Sequence, residues 1–125
     1  MLLVDDDENE RFLVRRMLEQ AGYRVDECDC GQAAIACCRN QRPDVVFLDG
    51  LMPGMDGIVT CRALRADFPS EDLPILMFTG LTDPAWRARA LQAGANGFVE
   101  KAVGVGQLAD NLRGALIACG LAGPG

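Results

Sequence analysis

Five short aliphatic runs alternate with five longer amphipathic segments along this chain, and that order leaves few folds open. Alternation of this kind is what a parallel sheet wrapped by helices requires, because each parallel crossover needs a connection of helix length. The strands read as residues 2–4, 24–28, 45–48, 75–78 and 97–100. Val45-Val-Phe-Leu48 is apolar throughout, as in a central strand covered on both faces. Between the strands, Leu13, Val14, Met17, Leu18 and Ala21 recur at helical spacing, as do Ile58, Cys61, Leu64 and Phe68. Leu108, Leu112, Ala115, Leu116 and Cys119 do the same near the end. The punctuation agrees: Gly22 and Gly94 stop helices, Arg42-Pro43 ends the helix of residues 32–40, and Asp83 caps one that has Pro84 at its first position.

With 125 residues, half of them apolar, the chain has material for one hydrophobic core. One domain is expected over 1–120, with 121–125 a small-residue tail or the start of a linker. Twelve basic against eighteen acidic residues give a net charge of −6, which opposes direct binding to nucleic acid. No apolar stretch approaches the roughly 20 residues that cross a bilayer, and acidic residues follow Met1-Leu-Leu-Val at once, so a cytoplasmic protein without membrane attachment is expected. Six cysteines occur without a C-x-x-C pair and without any histidine, which argues against zinc and for reduced thiols, most of them small core residues.

In a doubly wound sheet, ligands sit beyond the carboxyl ends of the strands. Here the first strand ends in Asp5-Asp6, the third in Asp49, the fourth in Thr79 and the fifth in Glu100-Lys101. Carboxylates gathered at one edge repel each other unless a hard divalent cation sits among them, which points to Mg²⁺. The Thr79 hydroxyl and the ammonium of Lys101, the chain's only lysine, are donors suited to phosphoryl oxygens. An aspartate beside such donors is a nucleophile poised to form an acyl phosphate.

The segments Leu3-Val-Asp5-Asp6-Asp7, Val45-Val-Phe-Leu-Asp49-Gly-Leu-Met-Pro53-Gly-Met-Asp56-Gly57, Phe78-Thr79-Gly80 and Gly94-Ala-Asn-Gly97-Phe98-Val-Glu-Lys101 together resemble the receiver domain of two-component response regulators. The resemblance implies an α/β fold, (βα)₅ and doubly wound, with a flavodoxin-like parallel five-stranded sheet in the order 2-1-3-4-5. It further implies phosphoryl transfer to Asp49 from a histidine kinase or a histidine phosphotransfer protein. Asp6 would ligate Mg²⁺ directly and Asp5 mainly through water, with Asp49 and the backbone carbonyl of Leu51 completing the protein's share. Thr79 and Lys101 would hold the phosphoryl oxygens. Thr79 and Phe98 would act as the switch that alters the face formed by the fourth helix, fifth strand and fifth helix. That face would serve an output domain or a homodimer.

Receivers catalyse their own phosphorylation and dephosphorylation without being enzymes toward a free substrate. Two departures from the family pattern bear on the site: Gly80 takes a position usually held by a small residue such as Ala, which should leave the phosphoryl pocket open, and the residue after Lys101 differs. Ala102 follows Lys101 where the family has a proline joined by a cis bond, and a non-proline cis bond costs about 3–4 kcal/mol. That favours a trans bond and puts the placement of Lys101 in question. The alternative reading is therefore an atypical receiver that binds partners without phosphorylation. A metal-dependent phosphohydrolase is a third, disfavoured because the chain offers no cap domain. Smaller expectations concern Asp56, read as a turn or helix-cap residue, and Trp86 with Arg87 and Arg89, read as either a partner-binding patch or a solvated helix face.

Overall fold

The computed structural model describes residues 1–49, 56–79, 84–100 and 105–118, with backbone alone at 79, 100, 105, 106, 108 and 109. Ten elements alternate in chain order: β1 (Leu2–Val4), α1 (Glu8–Gln20), β2 (Asp26–Cys28), α2 (Gly31–Asn40), β3 (Val46–Asp49), α3 (Gly57–Asp67), β4 (Ile75–Thr79), α4 (Pro84–Gln92), β5 (Gly97–Glu100) and α5 (Val105–Ala118). All strand pairs are parallel and the sheet runs β2-β1-β3-β4-β5, the order expected from the resemblance.

Side chains on successive strand residues point to opposite faces, so the sheet feeds two cores. Leu2, Val4, Val46, Leu48, Ile75 and Met77 pack with Ala34 and Cys38 of α2, Ile58, Cys61 and Leu64 of α3, and Trp86 and Ala90 of α4. Leu3, Phe47, Leu76, Phe78 and Val99 pack on the other side with Val14 and Leu18 of α1 and Leu112 and Leu116 of α5. Burying each large aliphatic or aromatic side chain is worth about 1.5–3 kcal/mol, so the two layers carry the fold.

Three expectations shift. β2 begins at Asp26 rather than Arg24, because β1 starts at Leu2 and Leu2 pairs with Asp26, leaving Arg24 and Val25 no ladder partner. Leu13 is 61% exposed: α1 turns Val14 and Leu18 toward the sheet, and a residue one place earlier is rotated about 100° away. Trp86 is buried in the core, so it is neither a patch nor a solvated face, while Arg89 beside it is exposed. Gly80, Asp83, Cys119 and the Leu108 side chain lie outside what is described.

Both glycines expected to stop helices do so in the left-handed region, Gly22 at φ 98° and Gly94 at φ 110°. Cys28, Cys38 and Cys61 are buried free thiols, as expected of core cysteines, and burial pushes Cys38 and Cys61 up to about 11. Cys37 departs from that pattern and is exposed. No helix among the described residues is long and apolar enough to cross a membrane.

Candidate functional site

The strand order reverses between β1 and β3, and the crevice at that switch point is where an open α/β sheet takes its ligand. Val4 pairs with Leu48 there, so the next residues on each strand, Asp5 and Asp49, emerge side by side. Carboxylate oxygens of Asp5, Asp6 and Asp49 all lie within 4.8 Å of one another. Asp5 is fully buried and Asp49 is 4% exposed, whereas Asp6 is exposed. The cluster therefore has two buried oxygen donors at its base and one at its mouth.

Asp7 is separated from this group by the start of α1. Its carboxylate accepts from the backbone N–H of Asn9 at 2.9 Å and of Glu10 at 3.1 Å, capping the helix. The acidic run thus divides: Asp5 and Asp6 face the crevice, and Asp7 closes the helix. Asp56 likewise caps α3, accepting from the N–H of Val59 at 2.9 Å.

Asp5 is held by its surroundings at every point but one. Its Oδ1 accepts from the Asp7 N–H at 2.9 Å, and its backbone carbonyl accepts from Arg11 at 2.7 Å. Its own N–H donates to the Cys28 carbonyl at 3.1 Å. Arg11 is in turn fixed by Glu27, 3.2 Å away on β2, which also meets Arg15 at 2.5 Å. The second oxygen, Oδ2, is buried with no donor. Burial pushes the Asp5 carboxyl up to about 8, and against the lowering effect of the Asp7 N–H the negative charge of Asp49, a side-chain hydrogen bond to Glu10 and the charge of Glu10 push the same way.

A buried, donorless carboxylate oxygen beside two further carboxylates fits a hard divalent cation. Mg²⁺ takes oxygen ligands through one or two carboxylates and keeps several waters, which matches a site open at Asp6. Three expected site residues are not placed at this level. Leu51 and Lys101, with the Lys101-Ala102 bond, lie outside the described residues, and Thr79 is described as backbone, ending β4 beside Glu100 of β5. Arg11, Glu10 and Glu27 carried no sequence signal. Each is one charged residue among many on a helix or edge strand: the register of β1 and β2 sets Glu27 opposite Leu3, and α1 carries Glu10 and Arg11 to Asp5.

Phe98 is half-buried on β5. Its ring centroid lies 6.1 Å from that of Trp86, tilted by 54°, and the Arg87 guanidinium lies 5.1 Å from it. Beside it is a shallow cavity of about 360 Å³ lined by Arg87, Asp110, Asn111, Gly114 and Ala115. Phe98 therefore sits where α4, β5 and α5 meet.

Comparison with known proteins agrees with this geometry. The family model described as the response regulator receiver domain matches residues 1–113. The response regulator MprA of Mycobacterium sp. (strain KMS) is 38% identical over 116 residues, covering 93% of this chain and 50% of that protein. The chain thus spans about half the length of the curated relatives it matches. Among solved structures, the Vibrio cholerae chemotaxis protein CheY4 superposes with a TM-score of 0.83 at 33% identity, covering 92% of this chain and 96% of that one. A two-component system response regulator/GGDEF domain protein gives 0.83 at 27% identity, covering 95% of this chain and 49% of that one.

Proposed function

Because this chain belongs to the response regulator receiver domain family, we propose that it accepts a phosphoryl group on Asp49 from a histidine kinase or a histidine phosphotransfer protein, with Mg²⁺ as cofactor. The observation that carries the reading is the convergence of Asp5, Asp6 and Asp49 within 4.8 Å at the switch point of the sheet.

Asp49 ends the central strand β3, so its carboxylate is held by a rigid, fully buried run and presents an oxygen to the crevice. That oxygen attacks phosphorus as the bond from phosphorus to the donor's imidazole nitrogen breaks, and the product is an aspartyl phosphate. Asp5, Asp6, Asp49 and the Leu51 carbonyl would hold Mg²⁺, whose positive charge offsets the carboxylates and the phosphoryl oxygens. Asp5 keeps its place through the Asp7 N–H and the Arg11 contact, so its oxygens are oriented before anything binds. Thr79, the last residue of β4, and Lys101, which follows Glu100 in the sequence, would take the phosphoryl oxygens.

Phosphorylation then acts on Phe98, the aromatic between Trp86 and Arg87, and through it on the face of α4, β5 and α5. That face would contact an output domain or a second receiver. An attached output domain accords with a chain that covers half of its curated relatives. The receiver works in the cytoplasm, where kinase and phosphodonor are found.

Amide NMR during titration with Mg²⁺ and then beryllofluoride, a mimic of the aspartyl phosphoryl group, tests the reading. Shifts at Asp6, Asp49 and Thr79 that spread to Phe98 and α5, and that vanish in Asp49→Asn, are expected. A spectrum unmoved by both additions would favour the phosphorylation-independent interaction module, for which Ala102 after Lys101 is the motivating feature.

A further inference from the structure

The cysteines form a second chemical feature, apart from the acidic crevice. Cys28 ends β2 and is 7% exposed, while Cys37 lies on α2 and is open to solvent. Their Sγ atoms are 3.2 Å apart. A disulfide bond is about 2.05 Å long, so the two sulfurs need to approach by roughly 1.2 Å to be joined. Both are anchored in regular elements that already face each other across the short connection from β2 to α2.

The neighbouring thiols do not share this geometry. Cys30 caps α2, its sulfur accepting from the Ala33 N–H at 3.5 Å, and Cys38 is turned into the core with Ala34 and Cys61. Among the described residues, Asp5, Asp6 and Asp49 are the one group of three or more metal-ligating side chains whose donor atoms converge. Cys28 and Cys37 therefore make a two-thiol site, which suits oxidation better than metal capture.

We propose that Cys28 and Cys37 are a reversible redox pair, in which a hydroperoxide oxidises the exposed Cys37 and the buried Cys28 resolves it to an intramolecular disulfide. In the first step the Cys37 sulfur attacks the peroxide, the O–O bond breaks, and Cys37 becomes a sulfenic acid while the peroxide leaves as an alcohol or water. In the second, the Cys28 sulfur attacks the Cys37 sulfur, an S–S bond forms, and hydroxide departs with the Cys28 proton as water. Two thiols lose two electrons in all, and the peroxide gains them. The link fastens α2 to the edge strand whose Cys28 carbonyl holds the Asp5 N–H, so oxidation falls one hydrogen bond from the acidic crevice. The redox chemistry itself is independent of whether Asp49 is phosphorylated.

The test exposes the folded, reduced protein to hydrogen peroxide, removes the peroxide, and then alkylates in denaturant so that the buried thiols of Cys38 and Cys61 also react, with intact-mass measurement and peptide mapping without reductant. The expected result is a loss of two hydrogen atoms, two thiols protected from alkylation, and one linked peptide pair containing Cys28 and Cys37, all reversed by a dithiol reductant. Cys37→Ser should abolish the link. Cys28→Ser should leave Cys37 as a sulfenic acid that a cyclic diketone traps. Because Cys28 is buried and its variant can fail to fold, the exposed Cys37→Ser change stands as the independent check. Complete alkylation of all thiols after peroxide, a link from Cys37 to any other cysteine, or a link that forms only in denaturant would overturn the proposal.

Discussion

The N–H of Asp7, the residue that caps α1, donates at 2.9 Å to Oδ1 of Asp5. The start of the helix and the floor of the acidic crevice are thus built from one short turn, with opposite tasks for two neighbouring acids. Asp7→Ala should cost about 1 kcal/mol of stability through the lost cap, measured by denaturant unfolding, and leave Mg²⁺ affinity within about twofold. A tenfold fall in affinity would place Asp7 in the site instead.

Asp5 gives a dependence on pH with a definite sign. Its folded value of about 8 lies above the ordinary 3.8, so the folded protein keeps a proton that the unfolded chain releases. Without metal, this contribution to stability is complete below the ordinary value and is lost as pH rises through about 8. Urea midpoints in chelator should fall from about pH 5 to about pH 8, and Asp5→Asn should flatten that slope. Mg²⁺ competes with the same proton, so its affinity should rise over the same window and chelation should matter most at the alkaline end.

The alternation of strands and helices and the two-sided core were legible because the strands are punctuated and the central run Val45–Leu48 is apolar throughout, whereas the sheet order came with the family resemblance. The acidic site was legible for the same reason: Asp5, Asp6 and Asp49 stand directly after apolar strands, and parallel register brings strand ends together. Leu13 and Arg24 misled because neither helix rotation nor ladder length is visible in spacing alone. Arg11 and Glu27 were invisible, since the clasp they form depends on how α1 lies over β2. The 3.2 Å approach of Cys37 to Cys28 was equally hidden, because the sequence separates them by a turn and half a helix.

Trp86 is the chain's one tryptophan and lies 6.1 Å from Phe98, which makes it an internal reporter of the ring's position. Mg²⁺ with beryllofluoride should change its emission, and Phe98→Leu should remove most of that change. An equal response in the variant would separate Trp86 from the motion of Phe98.

Arg65 gathers the loop before β4 and the turn before β5, donating to the carbonyls of Gly94, Phe68 and Leu73 and to the side chain of Asn96. A Cβ at Gly94 would lie 2.4 Å from Cγ of Arg65, on a backbone already at φ 110°. Gly94→Ala should therefore destabilise the protein by about 1–3 kcal/mol or more, read from the denaturant midpoint. An unchanged midpoint would mean that Arg65 moves aside without cost.

The central claim is that Asp49 is the phosphoacceptor. Incubation with a small phosphoramidate and Mg²⁺, followed by intact-mass measurement and peptide mapping, addresses it most directly. The account predicts a mass gain of one phosphoryl group on the peptide containing Asp49, lost on chelation of Mg²⁺ and absent in Asp49→Asn. Undiminished labelling of Asp49→Asn, or no labelling of the unaltered protein, would contradict it.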